Sequence, residues 1–83
     1  MLGDVRNLKT SAIELDERLP LLEREWLVGR LRSRRGIAAA QCDDARHLMV
    51  QYDADELVTD DVLDFLNLCG VRVAAAHPSR MPG

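Results

Sequence analysis

The stretch from Gly36 to Val73, GIAAAQCDDARHLMVQYDADELVTDDVLDFLNLCGVRV, decides the fold. Its first part predicts two strands, Ile37 to Cys42 and His47 to Tyr52, which a polar hairpin turn at 43–46 joins. In the second of these strands, the apolar side chains on one face recur at every second position, at Leu48, Val50 and Tyr52. The alternation indicates a sheet with one face turned toward a core.

The second part of the stretch predicts a helix and a last strand. A polar loop at 53–56 leads to Thr59, which is a favourable N-cap, and acidic side chains in the first helical turn complement the helix dipole. Apolar residues then follow at helical spacing, at Val62, Phe65, Leu66 and Cys69. Gly70 ends this helix, and the last strand runs from Val71 to Ala75, with a tail that includes His77.

The first half of the chain adds one strand and one helix. Leu8 to Asp16 predicts a strand with two large apolar side chains, Ile13 and Leu15, on one side. The sequence pattern puts three further side chains of this strand at edge or solvent positions, namely Ser11, Glu14 and Asp16. A turn at 16–20 leads into the helix, since Pro20 suits the first helical position.

This first helix runs to about Ser33, and Gly36 stops it. Its apolar stripe is predicted at Leu22, Trp26, Leu27 and Leu31. Trp26, the largest apolar side chain of the protein, is the expected core anchor. Gly29, an unfavourable residue in a helix interior, is expected to mark close packing of the helix on the sheet.

The order of elements is therefore β-α-β-β-α-β. Right-handed crossovers then give a four-stranded antiparallel sheet with both helices on one face, which is the ferredoxin-like α+β sandwich. With 83 residues, the chain is expected to form a single domain, with a core over about 8–75 and flexible ends at 1–7 and 76–83. The other face of the sheet would then be half exposed.

Composition narrows the class of protein. Hydrophobic residues make up 47% and charged residues 30%, which argues against disorder, and the net charge of −3 does not favour nucleic acid. Residues 1–12 do not resemble a signal peptide, and no apolar run is long enough for membrane insertion. Two cysteines are too few for a disulfide scaffold, so the cytoplasm is the expected location.

Several segments resemble the heavy-metal-associated domain, the family of copper chaperones and of the N-terminal modules of metal-transport ATPases. The resemblance covers about residues 11–75 and rests on a strand start, a strand end, a capped helix and a last strand. These are Gly36-Ile37, Val50-Gln-Tyr52-Asp53, Thr59-Asp-Asp-Val62 with Leu66, and Cys69-Gly70-Val71-Arg-Val73. The resemblance implies the same ferredoxin-like fold and a setting in heavy-metal trafficking.

The metal clamp of that family is missing from this chain. The family carries Cys-x-x-Cys at the junction of its first strand and first helix, and the matching stretch here, Asp16 to Glu23, has no Cys or His. Two thiolates hold a soft ion such as Cu(I), and carboxylates do not replace them. The chain therefore looks like a degenerate member that retains the fold without the standard metal site.

Unorthodox metal ligands are the first set of candidate site residues. Cys69 ends the second helix near the place of the family's metal site; the other interpretation is a small core residue on the apolar stripe. Around the hairpin, Cys42, Asp43, Asp44 and His47 could bind a borderline divalent ion, or could form an ordinary polar turn. Asp16 completes the set of Cys69, Cys42, His47 and Asp16, and a transition-metal ion is the possible cofactor.

Charged helix ends are the second set of candidates. The basic end of the first helix and the acidic start of the second could steer docking to another protein or to a second copy of the chain. The other interpretation is a pair of solvated helix ends. The residues concerned are Arg30, Arg32, Arg34 and Arg35 on the basic side, and Asp60 and Asp61 on the acidic side.

The functional expectation is a small non-enzymatic binding or regulatory module, because no catalytic motif is present. Its partner would be another protein or itself, with a link to metal trafficking through the resemblance alone. Two alternatives stay open. One is a metal-binding protein with ligands around Cys69, and the other is a small-molecule regulatory domain of the same fold.

Overall fold

The structure, a computed structural model, describes residues 7–79, so most of the flexible ends predicted from the sequence (residues 1–6 and 80–83) lie outside the described part. Its elements are β1 (Leu8–Leu15), α1 (Leu21–Ser33), β2 (Ile37–Cys42), β3 (His47–Asp53), α2 (Thr59–Leu68) and β4 (Val73–Ser79). Among residues 7–79, no helix is long and apolar enough to cross a membrane.

The four strands form one antiparallel sheet in the order β2-β3-β1-β4. This order and the two crossing helices confirm the predicted ferredoxin-like α+β fold. The sheet buries one set of alternating side chains against the helices and leaves the other face open. The buried set comes from both central strands and both helices, and includes Ile13, Leu15, Leu27, Leu31, Leu48, Val50, Tyr52, Val62 and Leu66.

The prediction for Ser11 is wrong, because β1 lies in the middle of the sheet. β1 pairs with β3 on one side and with β4 on the other. Ser11 shares a face with Ile13 and Leu15, and it is buried beside them. Glu14 lies on the open face, and Asp16 is exposed just beyond the strand.

The predicted apolar stripe of α1 is only half correct. Leu27 and Leu31 are fully buried, whereas Leu22 and Trp26 are 78% and 52% exposed. Trp26 is therefore not the core anchor. Gly29 does not pack closely on the sheet either, since no atom apart from its chain neighbours and the nearby backbone of α1 lies within 4 Å of where its Cβ would be, among the described residues. The helix presents a different face to the sheet than the one that contains its largest side chain.

At the start of α2, Thr59 does not act as the N-cap. The cap position is Val58, whose backbone N–H donates to the carboxylate of Asp61 at 2.9 Å. The hydroxyl of Thr59 instead shares a hydrogen bond of 2.8 Å with the hydroxyl of Tyr52. This bond pairs two polar groups at the edge of the core and ties the start of α2 to β3. Gly70, with φ of +84°, ends the helix as predicted.

The last strand begins and ends later than the sequence predicted. Val71 belongs to the exit of α2, because its N–H donates to the carbonyl of Leu66 at 3.0 Å. The strand proper, β4, then extends to Ser79, so His77 pairs with Ala12 rather than lying in a tail. The ladder between β1 and β4 therefore extends beyond Ala75, where the sequence predicted the end of the strand.

Candidate functional site

Three connections meet at one end of the molecule: the β1–α1 loop, the β2–β3 hairpin and the α2–β4 connection. The N–H of Leu19 donates to the carbonyl of Ala45 at 2.8 Å, and the N–H of Asp16 donates to the carbonyl of Arg72 at 2.9 Å. A hollow of about 190 Å³ lies between the first loop and the last connection, lined by Glu17, Leu19, Gly70, Val71 and Arg72. The end of α2 therefore lies beside the first loop, where the sequence placed it.

The four predicted metal ligands are distributed around this end. Cys69 caps α2 and packs, half-buried, against the core. Cys42 is half-buried at the end of β2, Asp16 is exposed in the first loop, and His47 lies on the open face. Within residues 7–79, no three Cys, His, Asp or Glu side chains are grouped so that they could hold a metal ion. The structure therefore does not gather the predicted ligands into one centre.

The carboxylate of Asp44 organises the hairpin turn. It accepts hydrogen bonds from the backbone N–H groups of Arg46 and His47, at 2.8 and 3.0 Å, and lies 2.9 Å from Nδ1 of the His47 ring. The N–H of Arg46 and the ring of His47 hold the pKa of Asp44 below its usual value. On the other side of the ring, Nε2 lies 3.7 Å from a carboxylate oxygen of Glu14. The polar side chains of the hairpin turn therefore contact one another, the backbone of the turn and Glu14.

The surroundings of Cys42 disfavour the thiolate form of its side chain. Burial raises its pKa above the usual value, against the opposing effect of the nearby Arg24 guanidinium. Since the thiolate is the form that binds metal, a raised pKa works against this role.

The charged helix ends are neighbours, and several of their side chains bind within the molecule. Nε of Arg35 lies 3.1 Å from a carboxylate oxygen of Glu56, and the guanidinium of Arg34 stacks 5.3 Å from the centre of the Phe65 ring. Asp61 is used by the N-cap of α2. Arg30 and Asp60 are exposed. Part of the predicted docking charge is therefore engaged in contacts within the molecule.

The outer edge of β2 is a feature that sequence analysis did not single out. Within the described residues, β2 pairs with β3 alone. The carbonyl of Ala40 points away from β3 and accepts a hydrogen bond of 3.3 Å from the guanidinium of Arg32. Ala38, Ala39 and Gln41 are exposed. The strand is therefore an open edge, with short side chains along most of its length.

Two hollows lie beside the part of this edge that contains Gln41. The larger, which we call the edge groove, has a volume of about 380 Å³ and lies between α1 and β2. Its lining mixes apolar and charged side chains, namely Leu21, Arg24, Glu25, Val28, Gly29, Arg32, Gln41 and Cys42. A second hollow of about 240 Å³ lies on the open face, beside Ala39 and Met49. The β-α-β-β-α-β order already implied that β2 lies at an edge of the sheet. The edge groove depends on the position of α1 relative to β2, which the order of elements does not give.

The fold is that of a small α+β protein of ferredoxin-like topology, and its edge strand β2 is accessible. Compared with known proteins, the chain matches no family model, and it has no significant match among curated proteins or solved structures.

Proposed function

We propose that the chain is a non-enzymatic protein-binding module that takes an extended segment of a partner protein at the edge of β2. The observation that carries the proposal is the exposed outer edge of β2. An extended peptide can add to such an edge as a further strand through hydrogen bonds to the backbone groups of the edge. At Ala40 the peptide would replace the guanidinium of Arg32 as the donor to the carbonyl.

The surroundings of β2 supply the side-chain contacts that such a partner needs. In a bound strand, alternate side chains point to opposite faces of the sheet. One set would enter the edge groove, where Leu21 and Val28 offer apolar surface and Arg24 and Glu25 offer charge. The other set would lie over the hollow on the open face, beside Met49. The two hollows therefore provide a basis for sequence preference.

The opposite edge of the sheet is less suited to this role. β4 contains Pro78, which has no backbone N–H to donate to an added strand. Natural sheets use proline at edges to prevent pairing with other chains. β2 contains no proline, and its side chains are alanine at three successive positions.

A peptide selection tests the proposal. Random peptides displayed on phage would be selected on the full chain, and the tightest binder would be followed by amide shifts in NMR. We expect the largest shifts in Ala38–Cys42 and in the α1 residues of the edge groove. If no peptide is selected, or if the shifts fall on β4, the proposal is wrong.

Two matched variants locate the binding edge. Ala39 and Ala74 are exposed alanines on the two edge strands, β2 and β4. A lysine on an edge strand discourages pairing. Ala39→Lys should weaken the selected peptide roughly tenfold or more, whereas Ala74→Lys should leave its affinity unchanged. Equal effects of the two variants would contradict an assignment to β2.

Metal binding is the second candidate, and the resemblance to the heavy-metal-associated domain supports it. The support from the structure is that Cys69 lies at the end where three connections meet. The test is a titration of the reduced chain with Cu(I), Zn(II), Ni(II) and Co(II), followed by amide shifts. Saturable shifts at Cys69 that Cys69→Ser abolishes would support a metal carrier, and unchanged spectra with every ion would remove this candidate.

A further inference from the structure

Helix α1 has two faces on which residues recur at the spacing of a helix–helix contact. One face packs on the sheet and contains Leu27 and Leu31. The other, which we call the outer face, consists of Leu22, Trp26, Gly29 and Ser33, all exposed. These four residues follow one another by four, three and four positions, which is the spacing of one side of a coiled coil. The outer face therefore presents two large apolar side chains, Leu22 and Trp26, and two small residues at the positions that would line a contact with a second helix.

Close packing within a single copy of the chain does not explain Gly29. It lies in the interior of α1, where glycine weakens a helix relative to alanine. Apart from its chain neighbours and the nearby backbone of α1, no atom of the described residues lies within 4 Å of the position of a Cβ on Gly29, so the described part of the monomer leaves room for a side chain there. Three positions earlier, Trp26 projects its large side chain from the same face. The large side chain of Trp26 and a position without a side chain, Gly29, therefore lie next to each other on the outer face.

Two glutamates and two arginines flank the outer face. Glu23 and Arg30 lie on one flank, and Glu25 and Arg32 lie on the other. All four are exposed. On each flank, the acidic residue is nearer the start of the helix and the arginine is nearer its end. Two such helices side by side match their charges only when they run in opposite directions, because parallel helices would put like charges at the same level.

We propose that the outer face of α1 binds the same face of a second copy of the chain, with the two helices antiparallel around a two-fold axis. In this arrangement, Trp26 of each copy lies over Gly29 of the other, where the missing side chain leaves room. On both flanks, each glutamate faces an arginine of the other copy. The surface is therefore self-complementary, as a two-fold interface requires.

The second copy is favoured over an unrelated partner because one helix supplies both halves of every contact. The antiparallel arrangement that puts Trp26 of one copy over the position without a side chain at Gly29 of the other (the notch) also puts each glutamate opposite an arginine. A large exposed apolar side chain beside other exposed leucines also indicates an interaction surface. Leu21, at 60% exposed, extends this apolar area at the start of the helix.

The first test is the oligomeric state of the full chain as a function of concentration. Sedimentation velocity should show a monomer–dimer equilibrium between micromolar and millimolar protein. Trp26 is the only tryptophan of the chain, so its fluorescence reports directly on this face. We expect its emission to shift to longer wavelength on dilution, as the ring returns to water. A chain that stays monomeric throughout this range overturns the proposal.

Charge reversal on one flank gives a sharper test. Glu23→Arg and Arg30→Glu should each weaken self-association roughly tenfold, because each places like charges opposite one another twice. An equimolar mixture of the two variants should associate like the original chain, since every flank contact again joins opposite charges. The flank of Glu25 is avoided because Arg32 also donates to the carbonyl of Ala40. A mixture no stronger than its components would exclude the antiparallel arrangement.

A final pair of variants separates self-association from peptide binding, and the readout is self-association alone because Gly29 also lines the edge groove. Gly29→Leu fills the notch and should abolish self-association while the monomer stays folded, because its side chain meets open space in a single copy. Ala39→Lys, which should block the edge of β2, should leave self-association unchanged. Loss of association in Ala39→Lys, or its survival in Gly29→Leu, would contradict the assignment to α1.

Discussion

At the scale of single residues, Gly36 has the strictest requirement. Its φ of +93° lies in the left-handed region, and a Cβ there would lie 2.8 Å from Cδ1 of Leu57. Backbone strain and this contact both oppose any side chain. We expect Gly36→Ala to lower the free energy of unfolding by about 2 kcal/mol, measured by urea denaturation.

Gly29→Ala is the matched control. Gly29 has an ordinary helical backbone and open space around it, so alanine there should raise the free energy of unfolding of the monomer by up to about 1 kcal/mol. The two variants make the same chemical change with opposite expected signs. A stabilising effect of Gly36→Ala would mean that the turn between α1 and β2 differs from the one described.

Asp44 makes the stability of the protein depend on pH in the acid range. Its pKa is lowered from the usual 3.8, chiefly by the N–H of Arg46 and then by the ring of His47. A group with a lowered pKa stabilises the fold above its unfolded pKa, and the stabilisation is lost as the pH falls through its folded pKa. Asp44→Asn should therefore lower the unfolding midpoint at about pH 7, and the difference from the original chain should shrink toward about pH 2.

Asp43→Asn serves as the comparison for this measurement. Asp43 is the preceding residue in the same turn, but its carboxylate accepts a hydrogen bond from the side chain of Gln41 at 3.2 Å rather than from the turn backbone. If both variants show the same pH-dependent difference, the effect comes from net charge and not from the turn.

At the scale of elements, α1 shows which side of a helix controls stability. Leu27 is fully buried against the sheet, whereas Trp26 is half exposed. We expect Leu27→Ala to lower the free energy of unfolding by about 3 kcal/mol, because it leaves a cavity in the core. Trp26→Ala should cost about 1 kcal/mol or less in dilute protein. A larger cost for Trp26→Ala than for Leu27→Ala in thermal denaturation would mean that α1 is rotated from the orientation described.

The same helix shows how far the sequence could predict the fold. Element order, the hairpin and the strand faces followed from period and turn residues, and the structure confirms the topology. The face of α1 did not follow, because two stripes interleave on it. One stripe contains Trp26 and the other contains Leu31. The prediction joined residues of both stripes into one and took Trp26 as the anchor because of its size. Which stripe meets the sheet depends on packing with the sheet and α2, and periodicity alone does not contain that information.

The candidate site was predicted less completely than the fold, for a related reason. Topology brought the end of α2 to the first loop, as expected for Cys69. It did not bring Cys42 and His47 together with it, because ligands converge only when their side chains point the same way. Cys42 lies on the helix side of the sheet and His47 on the open side. Sequence spacing therefore indicated proximity but not direction.

At the scale of the whole molecule, β1 is the strand to which the rest is attached. It pairs with β3 along its length and with β4 from Thr10 to Leu15. The last four residues of β4 contribute much of the second ladder. A chain that ends at Ala75 should have a free energy of unfolding about 2–4 kcal/mol lower than a chain that ends at Ser79, because it loses ladder hydrogen bonds and the packing of Ala76. Equal midpoints in urea for the two chains would show that the end of β4 is not part of the fold.

The central position of β1 also determines how quickly the chain can reach its native state. β1 is the first strand along the chain, and its neighbours in the sheet are the third and the fourth strands. Both of its ladders therefore close long loops. Proteins dominated by such distant pairings fold more slowly than those built from local contacts. During synthesis, β1 therefore emerges before either of the strands that pair with it. Its apolar side chains stay exposed until β3 and then β4 complete the sheet.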